Sequence, residues 1–452
     1  MPASYFVTRP ASRFVPVILL LTVVGATAML YYHLGLFIPR STETSAAKGL
    51  GNGYAFGNDL YQVWLTSGES VRDRRDPYSA KMTRDIQTGL YGRPLDTRIP
   101  SDPVDRRTFP YPAFTLLLFR PVAELPFAVV RVAFVVGLAA MTCASILIWM
   151  RMLAWRPGWQ WLAVIVLLAL GSYPVLEGLY AGQLGLLVAF LLAASILALQ
   201  RGCLLLAGIL MALTTIKPQV TLLLILYLLL WSTHDRYRRG RFAWGLFPSM
   251  LLLLGASLAV WPRWIGSWVQ TMVAYHHYTR PALVNEAVAS HLGQSLAGPA
   301  GVIMTAGLMI FAVGLAWRNR TVDAGSPEFC NTAATLLAIT AITLLPGQAV
   351  YDHVILLPGA FLLARQWRAL AANWILKALL TMGAATLLWP WITSFALILL
   401  RPLLTREQFY STAIFSLPLR TAAAFPFVVL GLLVLRLRAP ATGEDGLPSL
   451  PF

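Results

Sequence analysis

Asp59 is an isolated carboxylate and a candidate catalytic residue. It lies in a stretch rich in glycine and aromatic residues, just where helical spacing of apolar residues begins. One accessible carboxylate beside an apolar floor suits a general base that accepts a proton from a bound hydroxyl group. The alternative is a loop aspartate that caps the helix beginning there. Both interpretations fit the residue and its spacing.

Lys217 and His353 are the two candidates for holding a phosphate group. Lys217 stands in a turn between two apolar segments, directly before Pro218. An ammonium group there suits a phosphate as a point charge, whereas a structural lysine would extend its stem to the water interface. His353 could donate to a phosphate or hydroxyl oxygen, with Asp352 orienting it. Otherwise the histidine packs at a helix start and Asp352 caps that helix.

Other polar groups are weaker candidates. Glu177 and Gln183 flank a bent stretch between apolar segments, where Glu177 could simply be a helix-start carboxylate. His276, His277 and His291 share one segment, but they lack HExxH spacing and have no cysteine nearby, so no metal site is predicted. The sequence also lacks a Walker A loop, a strand–GxGxxG–helix unit and a GxSxG elbow. A soluble nucleotide therefore has no evident binding domain, and no cofactor is predicted.

The elements that carry these residues are strongly apolar. Of 452 residues, 58% are hydrophobic and only 12% are charged, whereas a soluble domain has about a quarter. The net charge is +16, and the basic residues lie mainly at the ends of apolar runs. A nucleic-acid partner would need a clustered basic face with aromatic platforms, so none is predicted. The composition indicates a polytopic α-helical protein of a bacterial cytoplasmic (inner) membrane.

Short basic loops predict the orientation of the chain in the membrane. Arg9 and Arg13 place the N-terminus inside, and the cluster of arginines at 236–241 marks the firmest inner loop. The first apolar run is too long for a signal-peptide core and reads as a signal anchor. Both termini are then cytoplasmic, with about twelve spans. Their predicted limits are 14–38, 127–150, 159–171, 183–199, 203–216, 219–231, 243–261, 299–317, 329–345, 350–364, 372–391 and 418–435.

The predicted topology gives one transmembrane domain, residues 1–438, followed by a short cytoplasmic tail at 439–452. Residues 39–110 form a long first extracytoplasmic loop, and the helical spacing at 58–67 and 79–90 predicts two interfacial helices in it. The spans at 203–216 and 219–231 cover only roughly 20 Å each at about 1.5 Å per residue. Their shared turn is therefore sunk below the outer surface, as happens where helices line a water-filled cavity.

Four groups of residues resemble a known family. The sequence is similar to the polyprenyl-phosphate-mannose-dependent mannosyltransferases of glycosyltransferase family 87, in the GT-C superfamily. The similarity covers roughly residues 50–365. It is carried by GNDLY (57–61) with DPY (76–78), FPYPAF (109–114) with RPVAELP (120–126), GQL (182–184) with GIL (208–210) and IKPQ (216–219), and His353 with the apolar run after it.

The resemblance implies a GT-C fold and a hexosyltransferase that takes a sugar, mannose or another hexose, from a polyprenyl phosphate on the extracytoplasmic face. The acceptor would be a hydroxyl group of a lipid-linked or cell-envelope glycan, and membrane lipids would surround the protein. The resemblance implies Asp59 as the base, with Lys217 and His353 near the donor phosphate and inversion at the anomeric carbon. Candidates for the walls of the substrate cavity are Tyr61, Tyr111, Glu177, Gln183, Gln219 and Asp352.

Two other classes of protein compete with this interpretation. A secondary transporter or flippase would place polar groups near the midplane of both halves, related by an internal repeat. Here the polar residues gather towards one face, and the sequence shows no repeat. The remaining alternative is a lipid-handling scaffold without catalysis.

Overall fold

The structure is a computed structural model and describes residues 14–51, 55–290, 294–420 and 424–438. Within these ranges the regular structure is helical, and the one β-type pairing is an isolated bridge between Leu283 and Pro346. The predicted all-α architecture is confirmed. The predicted tail at 439–452 and the arginines at positions 9 and 13 lie outside the described residues.

The N-terminal half begins with one long, bent helix. Helix α1 (Val15–Tyr31) runs through a π-helical turn (Tyr32–Phe37) into α2 (Ile38–Ala47). Residues 39–110 contain α3 (Asn58–Asp73) and α4 (Ala80–Tyr91), so both predicted segments are helical, and their interfacial location stays a prediction. The next helices are α5 (Phe114–Phe119), α6 (Phe127–Met152), α7 (Trp159–Leu170), α8 (Tyr173–Ala181), α9 (Leu184–Gln200), α10 (Leu204–Thr214), α11 (Pro218–Ser232) and α12 (Gly240–Val260).

The C-terminal half alternates long helices with short ones. It contains α13 (Trp264–Thr279), α14 (Val284–Ala289), α15 (Gln294–Arg318), α16 (Pro327–Thr343), a 3₁₀ segment (Val350–Leu356), α17 (Leu357–Arg365), α18 (Trp367–Ala371) and α19 (Trp374–Leu400). The last elements are a 3₁₀ turn (Arg401–Leu403), α20 (Arg406–Phe409), α21 (Thr412–Phe415), a second 3₁₀ turn (Leu417–Leu419) and α22 (Ala424–Arg438).

Every predicted span coincides with a helix, but the count of twelve is not confirmed. In the described part of the chain, six helical stretches are long and apolar enough to cross a membrane, and a seventh results if α7 and α8, bent by 59°, form one broken span. Helices α9, α10 and α11 are apolar but shorter. The six stretches are Val15–Ala47, Phe127–Met152, Gly240–Val260, Gly298–Arg318, Trp374–Leu403 and Leu417–Arg436.

Helix α16 is the centre of the packing. Its residues 329–343 are all buried, as expected for a helix that is apolar on every side and surrounded by others. Helices α11, α15, α17 and α22 pack around it, and so does the 3₁₀ segment at 350–356. This arrangement carries Asp352 and the start of α11 to the same region of the molecule.

The hairpin of α10 and α11 is held tightly at its turn. Thr214 and Thr221 share a buried hydrogen bond of 3.1 Å between their hydroxyl oxygens. Helix α10 also crosses α12 at close range, because a Cβ atom on Gly208 would stand 2.1 Å from the carbonyl oxygen of Phe242. The turn that carries Lys217 is thus a fixed part of the helical body.

Candidate active site

Asp59 lies in the first turn of α3, and its carboxylate reaches across the molecule. Its Oδ1 accepts a hydrogen bond from Nη1 of Arg107 at 2.7 Å, and its Oδ2 accepts one from the amide of Gln183. The cap position of α3 is Gly57, and no side chain caps it. Asp59 therefore has long-range partners, and the capping interpretation of the sequence does not describe it.

Arg107 is a partner that sequence reasoning missed. Its backbone lies in the left-handed region, at a φ of 54°, which costs energy for a residue with a side chain. Its Nε donates to the hydroxyl oxygen of Tyr91 at 3.1 Å, and its backbone N–H donates to Asp105. Burial alone would lower the pKa of Arg107, but Asp59, Asp105 and Tyr91 together raise it well above its usual value. The guanidinium is therefore a permanent cation beside Asp59.

The segment around Arg107 is pinned from several sides. The carbonyl oxygen of Arg106 accepts a hydrogen bond from Gln87 on α4, and that of Pro110 accepts one from Trp268 on α13. Tyr78 donates to the carbonyl oxygen of Tyr111 at 2.7 Å. The one sequence signal for Arg107 was its place two residues before the FPYPAF stretch.

Gln183 joins Asp59 to a second ion pair. Its Oε1 accepts a hydrogen bond of 3.0 Å from Nζ of Lys217, and that ammonium lies 2.8 Å from Oδ1 of Asp352. Tyr111 donates to the same Gln183 oxygen at 3.4 Å. Lys217 is only 6% exposed and Asp352 only 2%. Lys217 therefore does not extend to the water interface but points into the protein.

These contacts form one continuous chain, called the polar network below, which consists of Arg107, Asp59, Gln183, Lys217 and Asp352. It joins five separate pieces of the sequence: the segment before α5, the start of α3, the start of α9, the turn between α10 and α11, and the 3₁₀ segment. It contains two carboxylates and two cations, so its formal charges balance. Such an arrangement can take up a proton at a carboxylate and present positive charge to an anion.

Gly185 makes room for the second ion pair. A Cβ atom built on Gly185 would lie 2.1 Å from Oδ1 of Asp352 and 3.5 Å from Nζ of Lys217. Real Cβ atoms do not approach an oxygen so closely, so any side chain at this position would displace the Asp352 carboxylate. Because Gly185 has no side chain, the first turn of α9 leaves space for the Asp352 carboxylate beside Lys217.

His353 faces a different surface from its neighbour Asp352. It is buried, and its Nε2 has no hydrogen-bond partner. It lines an apolar cavity of about 220 Å³ that runs between α7, α8, α17 and α19. Other residues in the wall of this cavity are Ile165, Leu168, Val175, Leu357, Phe361 and Leu387. The predicted pair is thus split: Asp352 belongs to the polar network, and His353 belongs to the adjoining apolar cavity.

The other sequence candidates have different surroundings. Tyr111 and Gln183 belong with the polar network, as described. Tyr61 packs against Trp64 and Phe127, with ring centroids 5.6 and 5.1 Å away. Gln219 is exposed at the start of α11. These surroundings do not support Tyr61 or Gln219 as walls of the substrate cavity. Both roles stay predictions.

Glu177 on α8 has a partner that the sequence did not suggest. Its Oε2 lies 3.3 Å from Nε2 of His33, which stands in the π-helical turn after α1. Helix α8, which carries Glu177, contacts α3, whose first turn carries Asp59. Glu177 therefore lies beside the polar network without belonging to it.

The histidines of the predicted outer segment do not gather at this site. His276 and His277 are exposed near the end of α13, and His291 lies outside the described residues. Among the residues that the structure describes, no three histidine, cysteine, aspartate or glutamate side chains form a group that could hold a metal ion. A reaction without metal or cofactor remains a prediction.

Comparison with known families decides the class of the protein. The model of glycosyltransferase family 87 matches residues 109–346, which is more than half of the chain. The chain belongs to glycosyltransferase family 87. The resemblance seen in the sequence is thereby confirmed. No curated protein and no solved structure matches this family 87 chain.

The matched range covers part of the site of this family 87 glycosyltransferase. It includes Tyr111, Glu177, Gln183 and Lys217. The range from 109 to 346 leaves out the two ends of the polar network, so the roles of the residues there depend on the geometry. Those outlying network residues are Asp59, Arg107 and Asp352, and His353 of the adjoining cavity also lies outside the matched range.

Proposed function

We propose that this protein moves a sugar, mannose or another hexose, from a polyprenyl-phosphate donor to a hydroxyl group of a lipid-linked or cell-envelope glycan. The transfer takes place on the extracytoplasmic face of the membrane, with Asp59 as the general base. Membership of a glycosyltransferase family and the apolar helices support this proposal. The same membership favours a transferase over the transporter or flippase that the sequence left open.

The observation that carries the proposal is the polar network beside an apolar cavity. Asp59 stands at one end with Arg107, and Lys217 and Asp352 stand at the other. The cavity adjoins that second end, because Asp352 and His353 are consecutive residues. Sugar transfer from a phosphate on a long apolar chain uses all three environments. The base accepts the proton of the acceptor hydroxyl group, the cations contact the phosphate, and the apolar cavity holds the start of the chain.

The reaction is a single displacement at the anomeric carbon. Asp59 takes the proton of the acceptor hydroxyl group as its oxygen forms the new glycosidic bond. The bond between the anomeric carbon and the phosphate oxygen breaks, and its electron pair leaves with the polyprenyl phosphate. One in-line displacement inverts the configuration of the sugar. Charge grows on the leaving phosphate, so cations fixed beside it lower the barrier.

Arg107 and Lys217 are the cations that can serve the phosphate. Each is paired with a carboxylate, Arg107 with Asp59 and Lys217 with Asp352. We infer that Arg107 turns towards the donor phosphate when the donor binds, because a guanidinium matches phosphate oxygens in a bidentate manner. Oδ1 of Asp59 is then free to accept the proton of the acceptor.

The apolar cavity suits the first isoprene units of the donor lipid. Its wall is mostly hydrocarbon, and the unpaired Nε2 of His353 belongs to a side chain in that wall. A buried nitrogen without a partner is costly, and a phosphate or hydroxyl oxygen at the mouth of the cavity would satisfy it. Lys217 and His353 would then contact the donor phosphate region from two sides.

Asp59→Asn tests the base. The amide keeps the shape of the side chain but cannot take up the proton, so transfer should fall by about 10²- to 10⁴-fold. The assay supplies purified protein in lipid nanodiscs with polyprenyl-phosphate mannose or polyprenyl-phosphate glucose, and octyl α-mannoside as acceptor. The matched control is Asp73→Asn at the far end of α3, where the carboxylate pairs with Arg72 and Arg75.

The control variant should transfer sugar at the parental rate. Full transfer by a folded Asp59→Asn variant would remove Asp59 from the role of base. If the parent protein transfers sugar from neither donor, the proposed donor class is wrong for these two sugars.

A further inference from the structure

His33 is a buried histidine in an unusual piece of helix. It is fully shielded from solvent, and neither ring nitrogen makes an aligned hydrogen bond. It belongs to the π-helical turn at Tyr32–Phe37, and single π-helical turns inside α-helices often mark functional sites. A buried polar ring without an aligned hydrogen bond needs an explanation, because leaving such groups unsatisfied costs free energy.

The ring of His33 is held in one orientation. It stacks on Phe37 with centroids 5.7 Å apart, and the edges of Tyr173 and Tyr180 meet it at 6.2 and 5.7 Å. These three aromatic side chains leave Nε2 pointing at the carboxylate of Glu177, 3.3 Å away. The histidine is therefore aimed at Glu177 by its packing.

Glu177 has one buried oxygen and remains accessible overall. Its Oε2 is shielded and has no aligned hydrogen bond, while the whole side chain is 27% exposed. Glu177 belongs to α8, and α8 contacts α3, the helix that carries Asp59 in its first turn. Glu177 is thus a partly open carboxylate near the proposed base, backed by a buried imidazole ring.

A backbone hydrogen bond joins α8, which carries Glu177, to the start of α3, which carries Asp59. The N–H of Gly57 donates to the carbonyl oxygen of Tyr180 at 2.8 Å, which ties the start of α3 to the end of α8. The ring of Phe56 lies 5.7 Å from that of Tyr180. Tyr180 is three residues after Glu177, so both project from the same side of α8. Aromatic rings and a carboxylate thus adjoin the position where the acceptor must meet its base.

We propose that Glu177 binds the hydroxyl groups of the acceptor's sugar, with His33 as its positioning residue. This inference rests on the proposed function, since it names the acceptor side of that site. A carboxylate accepts hydrogen bonds from two neighbouring hydroxyl groups of a hexose, and Phe56 and Tyr180 offer apolar faces to its C–H groups. When the sugar binds, the carboxylate turns slightly, and Nε2 of His33 donates to Oε2. The bound sugar thus completes the hydrogen bond that the resting structure lacks.

A binding experiment tests this subsite without needing catalysis. Octyl α-mannoside is titrated into the protein in nanodiscs without donor, and its Kd is measured. Glu177→Gln should weaken binding roughly tenfold, the size expected for one hydrogen bond to a charged group. His33→Phe keeps the ring stacking but removes the donor, so it should weaken binding several-fold. His33→Gln restores a donor and should recover most of the affinity.

Tyr32→Phe is the matched control for damage to the helix. It removes a buried hydrogen bond, from the Tyr32 hydroxyl to the carbonyl oxygen of Phe415, in the same π-helical turn. Its Kd should stay close to the parental value. If Tyr32→Phe weakens binding as much as His33→Phe does, the effect comes from the helix and His33 has no positioning role.

The same titration separates this inference from the proposed function. Parental affinity in Glu177→Gln, or no saturable binding by the parent, overturns the acceptor subsite even where sugar transfer is observed. Binding that depends on Glu177 in a protein that transfers no sugar supports the subsite and overturns the proposed transfer instead. In an active protein, Glu177→Gln should raise KM for the acceptor and leave KM for the donor unchanged.

Discussion

Both carboxylate oxygens of Asp59 hold hydrogen bonds to side chains from distant parts of the sequence. A pair such as Asp59 and Arg107, mostly shielded from water, adds little net stability, because each ion loses hydration when it is buried. Removing one partner is far more costly, since the other charge is left alone. A pair with these properties is well suited to exchange partners when an anionic ligand arrives.

Arg107→Met tests whether Arg107 is the working partner of Asp59. The variant leaves the Asp59 carboxylate without its cation, so the free energy of unfolding should fall by about 3 kcal/mol. Sugar transfer should be lost as well, because the donor phosphate loses a bidentate cation. Arg107→Lys should keep most of the stability but lose at least about tenfold in transfer, because an ammonium group cannot reproduce the guanidinium fork.

A double variant provides the control. In Asp59→Asn/Arg107→Met both charges are gone, so the loss of stability should be clearly smaller than the sum of the two single losses. The measurement is the denaturation midpoint in detergent for all four proteins. Strictly additive losses would mean that the two side chains do not interact in the folded protein.

Isolated charges in apolar surroundings were the residues that the sequence could indicate. Asp59 and Lys217 were singled out in this way, because a lone charge there needs a reason, and Asp352 was named as the neighbour of His353. Arg107 was missed because its segment carries several arginines, and its place two residues before the FPYPAF stretch does not show by itself that this one is buried. His33 was missed because it lies inside an apolar run that reads as a membrane anchor. Pairing between distant positions depends on tertiary packing, which sequence spacing does not contain.

At the scale of elements, the network depends on interruptions in helices. Pro218 begins α11 and ends the turn that carries Lys217, and α9 begins directly after Gln183. The 3₁₀ segment at 350–356 supplies Asp352. Apolar periodicity predicted where these helices lie, and the lengths of the spans at 203–216 and 219–231 also indicated that α10 and α11 are too short to cross a membrane alone. Packing provides the burial that such short helices need: α11 and the 3₁₀ segment pack on α16, while α9 and α10 pack on each other.

Gly185→Ala tests the packing of α9 against the 3₁₀ segment. The added methyl group would overlap Oδ1 of Asp352 and push the carboxylate away from Lys217. Breaking a buried pair of this kind costs about 3–5 kcal/mol, so we expect a clear fall in the midpoint of thermal unfolding, together with weaker donor binding. The matched control is Gly137→Ala on α6, where the space around the position is open.

The control should be neutral or slightly stabilising, by up to about 1 kcal/mol, because alanine favours helix over glycine. Equal unfolding midpoints for the two alanine variants would mean that Asp352 has room to move away from a side chain at position 185. The close approach of Asp352 to Gly185 would then contribute nothing to the stability of the protein.

At the scale of the whole molecule, the distribution of charge predicts which side of the membrane holds the network. The excess of 35 basic over 19 acidic residues is concentrated in short loops at the ends of helices, as in proteins oriented by the positive-inside rule. Asp59, Lys217 and Asp352 were predicted on the opposite, outer side. The contacts among them require one common side, whichever it is, because a single network contains all three.

Cysteine labelling tests that common orientation. The background variant is Cys203→Ser, because Cys203 is the exposed one of the three cysteines, while Cys143 is half-buried and Cys330 buried. The outer reporter is Arg98→Cys, whose native side chain is 87% exposed in the segment that leads to Arg107. The inner reporter is Tyr237→Cys, whose native side chain is 97% exposed within the arginine cluster before α12.

A maleimide that cannot cross membranes should label position 98 in intact spheroplasts and position 237 only after permeabilisation. The segment with Arg98 runs directly into Arg107, so labelling there reports the side on which Asp59 and its partners lie. The reverse pattern would put the network on the cytoplasmic side. A polyprenyl-phosphate sugar presented outside could then not reach Asp59, and the extracytoplasmic reaction proposed here would be wrong even if the residue roles are right.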